Sequence, residues 1–492
     1  MPIQLSAARL PEIAAKAGVP QYDRTALSAG IVHFGVGNFH RAHQAVYLDD
    51  LFGMGLDHDW ALVGAGVRSN DEDMRTRLAG QDFLTTVVEQ EAGRSAARVT
   101  GSMIGFLPVG DVAAISERLA DPAIRIVSLT VTEGGYYIDP ASQRFGAAHP
   151  DIVADSVNPE APMTVFGLIL LGLQLRRERG IAPFTVMSCD NIPGNGHVAR
   201  NAVVGLAELI NPELAAWVRD AVALPNGMVD RITPATGQRE RDTLANEFGI
   251  TDAWPVFCEE FRQWVLEDHF PAGRPALEKV GVQFVSDVAP FELMKIRILN
   301  GGHATIAYPA GLLDIHFVHE AMAHPLVRAF LEKVEREEII PVVPPVPDTD
   351  LGEYYRLIER RFANPRIGDT IQRLCLDGSN RQPKFILPSA LDRLEAGQSV
   401  TGLALVSALW ARYCFGESDS GQVIPPNDPN WDRLTALAKR ARERPEAWLT
   451  MTDIFGTLST NPAYVDAFTT ALDSLWQRGT VATLEAYLTD RL

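Results

Sequence analysis

The stretch Ile31-Val32-His33-Phe34-Gly35-Val36-Gly37-Asn38-Phe39-His40-Arg41-Ala42 decides the fold of this 492-residue chain. Residues Ile31 to Gly35 are typical of a buried β-strand, and a helical period follows from about Arg41 to Leu51. Between them, Gly35 permits a tight turn, and Gly37 lets backbone amides approach a pyrophosphate at the start of the helix. A strand, a glycine turn and a helix in this order predict a dinucleotide-binding turn.

The glycine motif is incomplete, because Phe39 or His40 stands near the position of the usual third glycine. An ordinary tight turn is the alternative interpretation. The position directly after the first strong strand favours the nucleotide interpretation. The residues predicted to bind the cofactor in this turn are Gly35, Val36, Gly37, Asn38, Phe39, His40 and Arg41.

An acidic side chain is expected after the second strand, which is predicted at Trp60–Gly64. The candidates are Asp71, Glu72 and Asp73, and we assign Asp71 to the cofactor site. A carboxylate there would bind a ribose 2′-hydroxyl and repel a 2′-phosphate, which favours NAD over NADP. Arg68 lies close by in the sequence and could have the opposite effect.

Short strand-like runs alternate with helical stretches through the first half of the chain, which predicts a doubly wound α/β domain. Ile124–Thr132 is a wholly buried type of strand, and a helix near Val165–Arg177 precedes another strand at Phe184–Met187. From about Asp287 onward, 3.6-residue periods dominate. We therefore predict a Rossmann-type dinucleotide-binding domain at residues 1–285 and a mainly α-helical substrate-binding and catalytic domain at residues 286–492.

Composition excludes several classes of protein. The chain has 44 Lys and Arg against 62 Asp and Glu, a net charge of −18, so broad binding to nucleic acid or anionic membranes is not expected. Its longest apolar run, Val165–Leu173, is far shorter than the roughly 20 residues that span a bilayer. The four cysteines are widely separated, and no signal peptide is evident. We expect a cytoplasmic protein.

A polar helix is predicted at Pro290–His303, which reads P-F-E-L-M-K-I-R-I-L-N-G-G-H. At about 100° per residue, one arc of roughly 140° collects four polar side chains and a leucine: Glu292, Lys295, Leu299, Asn300 and His303. Two glycines interrupt the helix beside them. The alternative is an amphipathic helix with an incidental lysine.

Two further segments carry polar groups. Asp190 and Asn191 follow the strand Phe184–Met187, at the edge of the sheet where ligands bind in doubly wound folds. A turn before the Pro-Gly loop is the alternative there. The segment Val229–Pro234 reads V-D-R-I-T-P and sets Asp230 and Arg231 between apolar residues, for which a partly buried salt bridge is the alternative.

Five segments in chain order resemble the polyol-specific long-chain dehydrogenase family, and within it the bacterial mannitol 2-dehydrogenases. They are Gly35–His43, Thr132–Tyr136, Thr185–Asn191, Val229–Pro234 and Met294–His303. Asp377-Gly378-Ser379 extends the match into the helical half. Five ordered segments are much more specific than any one of them.

The resemblance implies a metal-independent, NAD-linked oxidation of a polyol secondary alcohol, with D-mannitol and D-fructose as the leading pair. It implies Lys295 as the general base, and Asn191 and Asn300 as donors to the reacting oxygen. It further implies that His303, Asp230 and Arg373 bind and orient the polyol. The chemistry fits, because a desolvated lysine loses pKa and amide donors stabilise an alkoxide. Glu292 would relay the proton or merely pair with the lysine.

The chain departs from the family pattern at two positions. Arg381 stands where the family often has a lysine, and the two cations are not equivalent, so the substrate fit at Arg381 is open. Asn70 precedes Asp71 where close relatives tend to have paired acids, which weakens the preference for NAD without reversing it.

Three functional hypotheses remain open. The leading one is the NAD-dependent mannitol reaction. A relative acting on D-arabinitol, sorbitol or a hexuronate such as fructuronate is the second, and a catalytically silent nucleotide sensor is the third. The joint presence of Lys295, both asparagines and His303 argues against a sensor. The chain has no H-E-x-x-H motif, so we expect no metal, and the family leads us to expect a monomer.

Overall fold

A computed structural model describes residues 2–139 and 144–492 of the chain. It divides the chain into two compact units, Met1–Ala289 and Pro290–Leu492, called unit 1 and unit 2 here. Unit 1 contains the strands of the described residues, and unit 2 is helical.

The strands of unit 1 form four sheets. They are β1 (Ile3–Gln4), β2 (Ala29–Phe34), β3 (Ala61–Ala65), β4 (Thr85–Glu91), β5 (Arg94–Thr100), β6 (Met103–Phe106), β7 (Ile126–Leu129), β8 (Thr185–Ser188), β9 (Gly227–Asp230), β10 (Ile250–Thr251), β11 (Val256–Glu259), β12 (Gln263–Glu267) and β13 (Gln283–Val285).

The largest sheet has the order β6-β3-β2-β7-β8, and all its neighbouring strands are parallel. The chain first moves outward from β2 to β3 and β6, and then crosses to the other side of β2. This reversal between β2 and β7 creates the crevice in which doubly wound sheets bind ligands. The predicted Rossmann-type fold is confirmed.

Both faces of this sheet are buried, as expected for parallel strands. Val32 and Phe34 of β2 belong to one apolar cluster, whereas Ile31 belongs to a second cluster on the opposite face. The helices of unit 1 are α1 (Leu10–Ile13), α2 (Asn38–Ala42), α3 (Gln44–Gly53), α4 (Ser69–Ala79), α5 (Val112–Ala120), α6 (Pro150–Val157), α7 (Val165–Glu178), α8 (Asn195–Ile210), α9 (Pro212–Ala221) and α10 (Gln238–Thr243). A short π-helix, Leu244–Phe248, follows α10.

The smaller sheets of unit 1 have the orders β11-β4-β5, β13-β12-β9 and β1-β10. In the second of these, β9 and β12 are antiparallel, and Asp230 at the end of β9 lies opposite Gln263. The ends of β2, β7 and β8 are level, since Phe34 pairs with Leu129 and Leu129 pairs with Ser188. Residues that follow these three strands therefore gather at one edge of the large sheet.

Unit 2 packs its helices around α19, whose residues from Gly402 to Tyr413 are all buried. The helices are α11 (Ala289–Met294), α12 (Gly301–Leu312), α13 (Val318–Ala323), α14 (Pro325–Val334), α15 (Leu351–Phe362), α16 (Ile371–Leu374), α17 (Gly378–Phe385), α18 (Leu387–Glu395), α19 (Thr401–Tyr413), α20 (Trp431–Ala441), α21 (Glu446–Leu449), α22 (Thr452–Phe455) and α23 (Pro462–Leu488). Two π-helical turns, Lys295–Asn300 and Glu335–Ile339, continue α11 and α14.

All four cysteine thiols are buried and form no disulfide. Burial raises the pKa of Cys258 and of Cys375 to about 12, and it also raises the pKa values of Cys189 and Cys414. The thiols are therefore protonated at neutral pH. Within residues 2–139 and 144–492, no helix combines the length and apolar character that crossing a membrane requires.

Candidate active site

The glycine turn lies at the carboxyl end of β2, beside the crevice in the large sheet. Gly35 has a φ of +89°, and a Cβ atom there would collide with the carbonyl oxygen of Thr130, so only glycine fits. At Gly37 the nearest atom to an added Cβ would be the Gly35 oxygen at 3.8 Å. Gly35 thus makes the turn, while Gly37 keeps space open in front of it.

A cavity of about 390 Å³ opens in front of this turn, and all its lining residues belong to unit 1. Five of the predicted cofactor residues line it: Gly35, Val36, Gly37, Asn38 and Asp71. Its other lining residues include Arg68, Asn70, Asp73, Met74, Thr130, Val131, Thr132, Tyr137, Val165 and Trp254. We call this cavity the nucleotide cleft.

The other three predicted cofactor residues, Phe39, His40 and Arg41, lie on α2 and are not among the lining residues in the described part of the chain. Arg41 is buried and donates to Asn38 Oδ1 at 2.9 Å, to the Gly37 oxygen at 3.3 Å and to the Trp254 oxygen. Burial lowers the pKa of Arg41 to about 10. Arg41 therefore supports the glycine turn from behind.

His40 is also buried behind the turn, and its ring stacks on that of His33 with 3.5 Å between ring centres. Burial lowers the pKa of His40 well below its usual value and lowers that of His33 to about 3. His33 contacts the turn directly, since Nε2 lies 3.2 Å from the Gly35 oxygen and 2.9 Å from Thr130 Oγ1. Both rings are neutral packing elements at physiological pH.

Asp71 lies at the third position of α4, where its carboxylate stabilises the start of the helix. Its Oδ2 atom accepts from the amide nitrogens of Val67 at 3.0 Å and Arg68 at 2.9 Å. Asp71 therefore lines the nucleotide cleft and also fixes the backbone after β3. Arg68 and Asn70 line the same part of the cleft.

Asn191 follows β8 at the carboxyl edge of the large sheet and is exposed. Its neighbour Asp190 is only 8% exposed. Asp190 Oδ2 accepts from Val131 N at 2.9 Å, and Oδ1 accepts from Thr132 N at 2.9 Å. Tyr136 also donates to Oδ2, at 2.7 Å. Burial raises the pKa of Asp190, and hydrogen bonds from Tyr136, Thr132 and Val131 act in the opposite direction.

Asp230 is buried as the last residue of β9. The adjacent Arg231 forms an ion pair with Glu89 at 2.6 Å and donates to the carbonyl oxygens of Ala42 and Glu259. Arg231 is thus a structural cation that joins β9 to the neighbouring sheet.

Lys295 is the first residue of a π-helical turn, Lys295–Asn300, and its side chain is buried. The predicted α-helical period is wrong here, because the π-turn lies between α11 and α12. A π-turn inserts extra backbone, so the arc calculated at 100° per residue does not hold across it. Asn300 ends this turn and is half-buried.

The two glycines after Asn300 do not interrupt the helix, as the sequence had suggested, but begin α12. A Cβ atom on Gly301 would lie 3.3 Å from the Phe385 oxygen, and one on Gly302 would lie 3.1 Å from Glu335 Oε1. The glycines therefore allow neighbouring segments to approach the π-turn closely.

His303 stacks on Phe362 with 4.0 Å between ring centres and an interplanar angle of 15°. Its Nε2 atom is buried and has no hydrogen-bond partner among the described residues. Burial lowers the pKa of His303 to about 3, and the charge of Arg373 acts in the same direction. A neutral imidazole held at a fixed angle can donate to or accept from a hydroxyl group.

Arg373 and Arg381 lie close enough to His303 to influence its protonation. Arg373 forms an ion pair with Asp369, which raises the pKa of Arg373. Arg381 donates to the Leu374 oxygen at 2.7 Å. Unit 2 thus brings three of the predicted substrate residues together.

The sequence did not indicate several residues of these sites. Trp254 and Met74 line the nucleotide cleft, and Phe362 supports His303 by stacking. Single aromatic or apolar residues with no motif around them give no signal distinct from core packing. In residues 2–139 and 144–492 no group of three or more His, Cys, Asp or Glu side chains is arranged to hold a metal ion.

Two family profiles match this chain and together extend over most of it. The mannitol dehydrogenase Rossmann domain matches residues 29–279, and the mannitol dehydrogenase C-terminal domain matches residues 287–476. The chain belongs to the mannitol dehydrogenase family. Among curated members, the mannitol 2-dehydrogenase of Cereibacter sphaeroides is 63% identical over 470 residues, which cover 95% of this chain and 98% of that protein. The mannitol 2-dehydrogenase of Aspergillus fumigatus is 41% identical over 499 residues, which cover 99% of this chain and 99% of that protein.

Two solved structures are also similar to this chain. The Pseudomonas fluorescens mannitol 2-dehydrogenase, a ternary complex with NAD and D-mannitol, superposes with a TM-score of 0.86 at 43% identity, covering 99% of this chain and all of that one. A D-sorbitol dehydrogenase in substrate-free form gives a TM-score of 0.91 at 33% identity, covering 98% of this chain and all of that one. The family predicted from the five sequence segments is confirmed.

Proposed function

We propose that this chain oxidises D-mannitol to D-fructose with NAD as the hydride acceptor. The observation that carries the proposal is the 63% identity to a mannitol 2-dehydrogenase along almost the whole of both chains. Specificity for one polyol depends on many side chains, and a match of this extent includes both the nucleotide-binding and the C-terminal domains.

The nucleotide cleft fits a dinucleotide. The open space in front of Gly37 would let backbone amides approach a pyrophosphate, and Asp71 offers a carboxylate after the second strand of the Rossmann fold. The residues that would hold NAD are Gly35, Val36, Gly37, Asn38 and Asp71, with Arg41 and the stacked His40 supporting the turn. When bound, NAD supplies the acceptor for the hydride.

Lys295 acts as the general base in this proposal. It takes the proton of the reacting hydroxyl, and its burial supports this role because desolvation favours the neutral amine. Asn191 and Asn300 donate hydrogen bonds to the oxygen, on which negative charge develops. Glu292, which precedes Lys295 by three residues in the sequence, would either relay the proton towards solvent or pair with the lysine.

The remaining polyol hydroxyls are bound by Asp230, His303, Arg373 and Arg381. His303 suits this task because it is neutral, stacked on Phe362, and carries a buried Nε2. Asp230 is a buried acceptor at the end of β9. Arg381 and Arg373 add cationic donors, which would also bind the carboxylate of a hexuronate.

D-sorbitol is the second candidate substrate, because the D-sorbitol dehydrogenase structure is similar over nearly the whole chain. Mannitol and sorbitol differ in the configuration of one carbon, so discrimination depends on a small number of hydroxyl contacts. D-arabinitol and fructuronate are further candidate substrates to be compared with D-mannitol.

We further propose that the protein works as a monomer in the cytoplasm and binds neither nucleic acid nor membranes. The net charge of −18 supports the last point, because it opposes binding to phosphate-rich polymers and anionic lipids. The four separate, buried thiols support a reducing compartment. Light scattering after size-exclusion chromatography would test the monomer.

The function is tested by following NADH absorbance with a panel of D-mannitol, D-sorbitol and D-arabinitol, and with D-fructose and fructuronate in the reverse direction. We expect D-mannitol and D-fructose to give the highest kcat/KM, and NAD to be used better than NADP. A chelator is expected to leave the rate unchanged. A higher kcat/KM with another pair would reassign the substrate, and no turnover with any member would refute the enzymatic function.

A further inference from the structure

Asp190 precedes the proposed substrate residue Asn191, and its carboxylate accepts three hydrogen bonds. Its two carboxylate oxygens accept from two consecutive backbone amides, those of Val131 and Thr132, each at 2.9 Å. The Tyr136 hydroxyl donates to Oδ2 at 2.7 Å and also contacts Ser188 Oγ. We call the arrangement of Asp190, Val131 and Thr132 the Asp190 clamp.

The clamp holds a backbone conformation that threonine rarely adopts. Thr132 has φ +65° and ψ 167°, a region that is populated almost only by glycine. Such a conformation persists only where the surrounding structure enforces it. The hydrogen bond from Thr132 N to Asp190 acts on this residue directly, and a second one, from Gly135 N to the Thr132 oxygen at 2.9 Å, holds its other side.

The clamped segment is also a wall of the nucleotide cleft. Thr130, Val131 and Thr132 all line the cavity. Thr130 Oγ1 donates to the Gly35 oxygen at 2.6 Å, which links this wall to the glycine turn. A change in the backbone at Thr132 would therefore change the shape of the cleft next to Gly35.

We propose that Asp190 is a positioning residue for the nucleotide, because it holds Thr132 at its positive φ and so fixes the wall of the cleft. The proposal rests on the proposed function in that the cleft must bind a dinucleotide. It adds a role for Asp190 that is separate from any contact between substrate and Asn191.

The test is a double-mutant cycle read by calorimetric titration of NADH. Asp190→Asn replaces one acceptor oxygen by an NH2 group, leaving one backbone amide without its partner, and should weaken NADH binding by about tenfold or more. Glycine adopts the Thr132 conformation without strain. In a Thr132→Gly background, the same Asp190→Asn change should therefore weaken binding by only about threefold or less.

Glu338→Gln provides a matched control in unit 2. Glu338 is buried and accepts from Gly402 N at 2.6 Å, from Leu403 N at 3.0 Å and from the Tyr487 hydroxyl at 3.2 Å. The number and type of hydrogen bonds match those of Asp190, but the segment does not line the nucleotide cleft. Glu338→Gln should lower the unfolding temperature without changing the affinity for NADH.

The cycle has outcomes that would overturn the proposal. If Asp190→Asn binds NADH as the wild type does, or loses equal affinity in both backgrounds, Asp190 does not act through Thr132. If Asp190→Asn fails to fold, Tyr136→Phe removes one donor to the same carboxylate, and an equal effect in both backgrounds again refutes the clamp. The wild type separates the two proposals: NADH binding without polyol turnover contradicts the function alone.

Discussion

The wall of the nucleotide cleft at Val131–Thr132 and the π-helical turn at Lys295–Asn300 both depart from regular backbone, but they are held in different ways. The wall is held by hydrogen bonds to the buried carboxylate of Asp190. The π-turn is followed by glycines that admit close packing, with the Phe385 oxygen near Gly301 and Glu335 near Gly302. The wall is thus fixed by one acceptor carboxylate, whereas the π-turn combines this close packing with an ion pair between Arg297 and Asp392 and a hydrogen bond from Arg297 to the Val342 oxygen.

The two buried acids show the consequence of this difference. Glu335 is fully buried, and neither of its oxygens has a hydrogen-bond partner among the described residues. Burial raises the pKa of Glu335 well above its usual value. Asp190 has three donors that offset part of its burial. The segment around the proposed base should therefore respond to pH more strongly than the cleft wall.

The largest expected effect comes from Lys295→Ala, which tests whether the π-turn carries the chemistry. We expect kcat to fall by about 100- to 10,000-fold, because the hydroxyl proton loses its acceptor. NADH binding should persist, since the nucleotide cleft is lined by unit 1 alone. The exposed Lys279→Ala serves as a control and should behave as wild type. A nearly normal kcat for Lys295→Ala would remove the lysine from the mechanism.

In unit 1, a pair of glycine substitutions separates the formation of the glycine turn from access of the nucleotide to it. Gly35→Ala should lower the free energy of unfolding by about 3 kcal/mol, because its Cβ meets Thr130 and its φ is +89°. Gly37→Ala should retain stability, since the nearest atom lies 3.8 Å away. It should instead weaken NADH binding about tenfold by filling the space for a pyrophosphate. Denaturant unfolding and NADH titration measure the two effects, and equal destabilisation would contradict the division.

Glu335→Gln tests the pH response of the unit 2 region. The raised pKa means that the folded state retains a proton which the unfolded state releases above about pH 4.3. Stability should therefore fall by about 1.4 kcal/mol per pH unit as pH rises towards the folded-state pKa, and glutamine lacks this effect. Thermal unfolding between pH 5 and 8 should show the unfolding temperature of Glu335→Gln rising relative to that of the wild type as the pH rises.

The exposed neighbour Glu337→Gln is the control for this change. It should show a difference from wild type that does not depend on pH. If Glu335→Gln also gives a constant difference, the buried acid is ionised in the folded protein.

The smallest effect is expected at Asp71. Two substitutions there separate its role in capping α4 from the effect of its charge on the choice between NAD and NADP. Asp71→Ala should cost about 1 kcal/mol, because the amides of Val67 and Arg68 lose their acceptor. It should also raise the use of NADP relative to NAD. Asp71→Asn keeps an acceptor oxygen but removes the charge, so only the cofactor ratio should change. An unchanged ratio in both variants would assign Asp71 to structure alone.

The sequence predicted the regular parts of unit 1 closely. The strand expected at Ile31–Gly35 is β2 (Ala29–Phe34), and the one expected at Trp60–Gly64 is β3 (Ala61–Ala65). The strand expected at Ile124–Thr132 ends earlier, as β7 (Ile126–Leu129). An apolar pattern identifies a buried strand, but it does not show that Val131 N donates to Asp190, a residue 59 positions away in the sequence.

The irregular parts of the site could not be predicted in the same way. A π-turn has no hydrophobic period of its own, so Lys295–Asn300 looked like part of one α-helix. The stacking of His303 on Phe362 joins residues 59 positions apart, which single-sequence periodicity does not detect. The identities of the polar residues were visible in the sequence, whereas their supporting contacts were not.

The buried thiols allow opening of the two units to be timed separately. Cys189 and Cys258 lie in unit 1, and Cys375 and Cys414 lie in unit 2. A protonated, buried thiol reacts with an alkylating reagent only after the structure around it opens, so labelling rates report local unfolding. If one pair is replaced by serine, the labelling rate of the other pair reports local unfolding of its own unit. In unit 1, Cys189 reports unfolding directly beside Asp190 and Asn191.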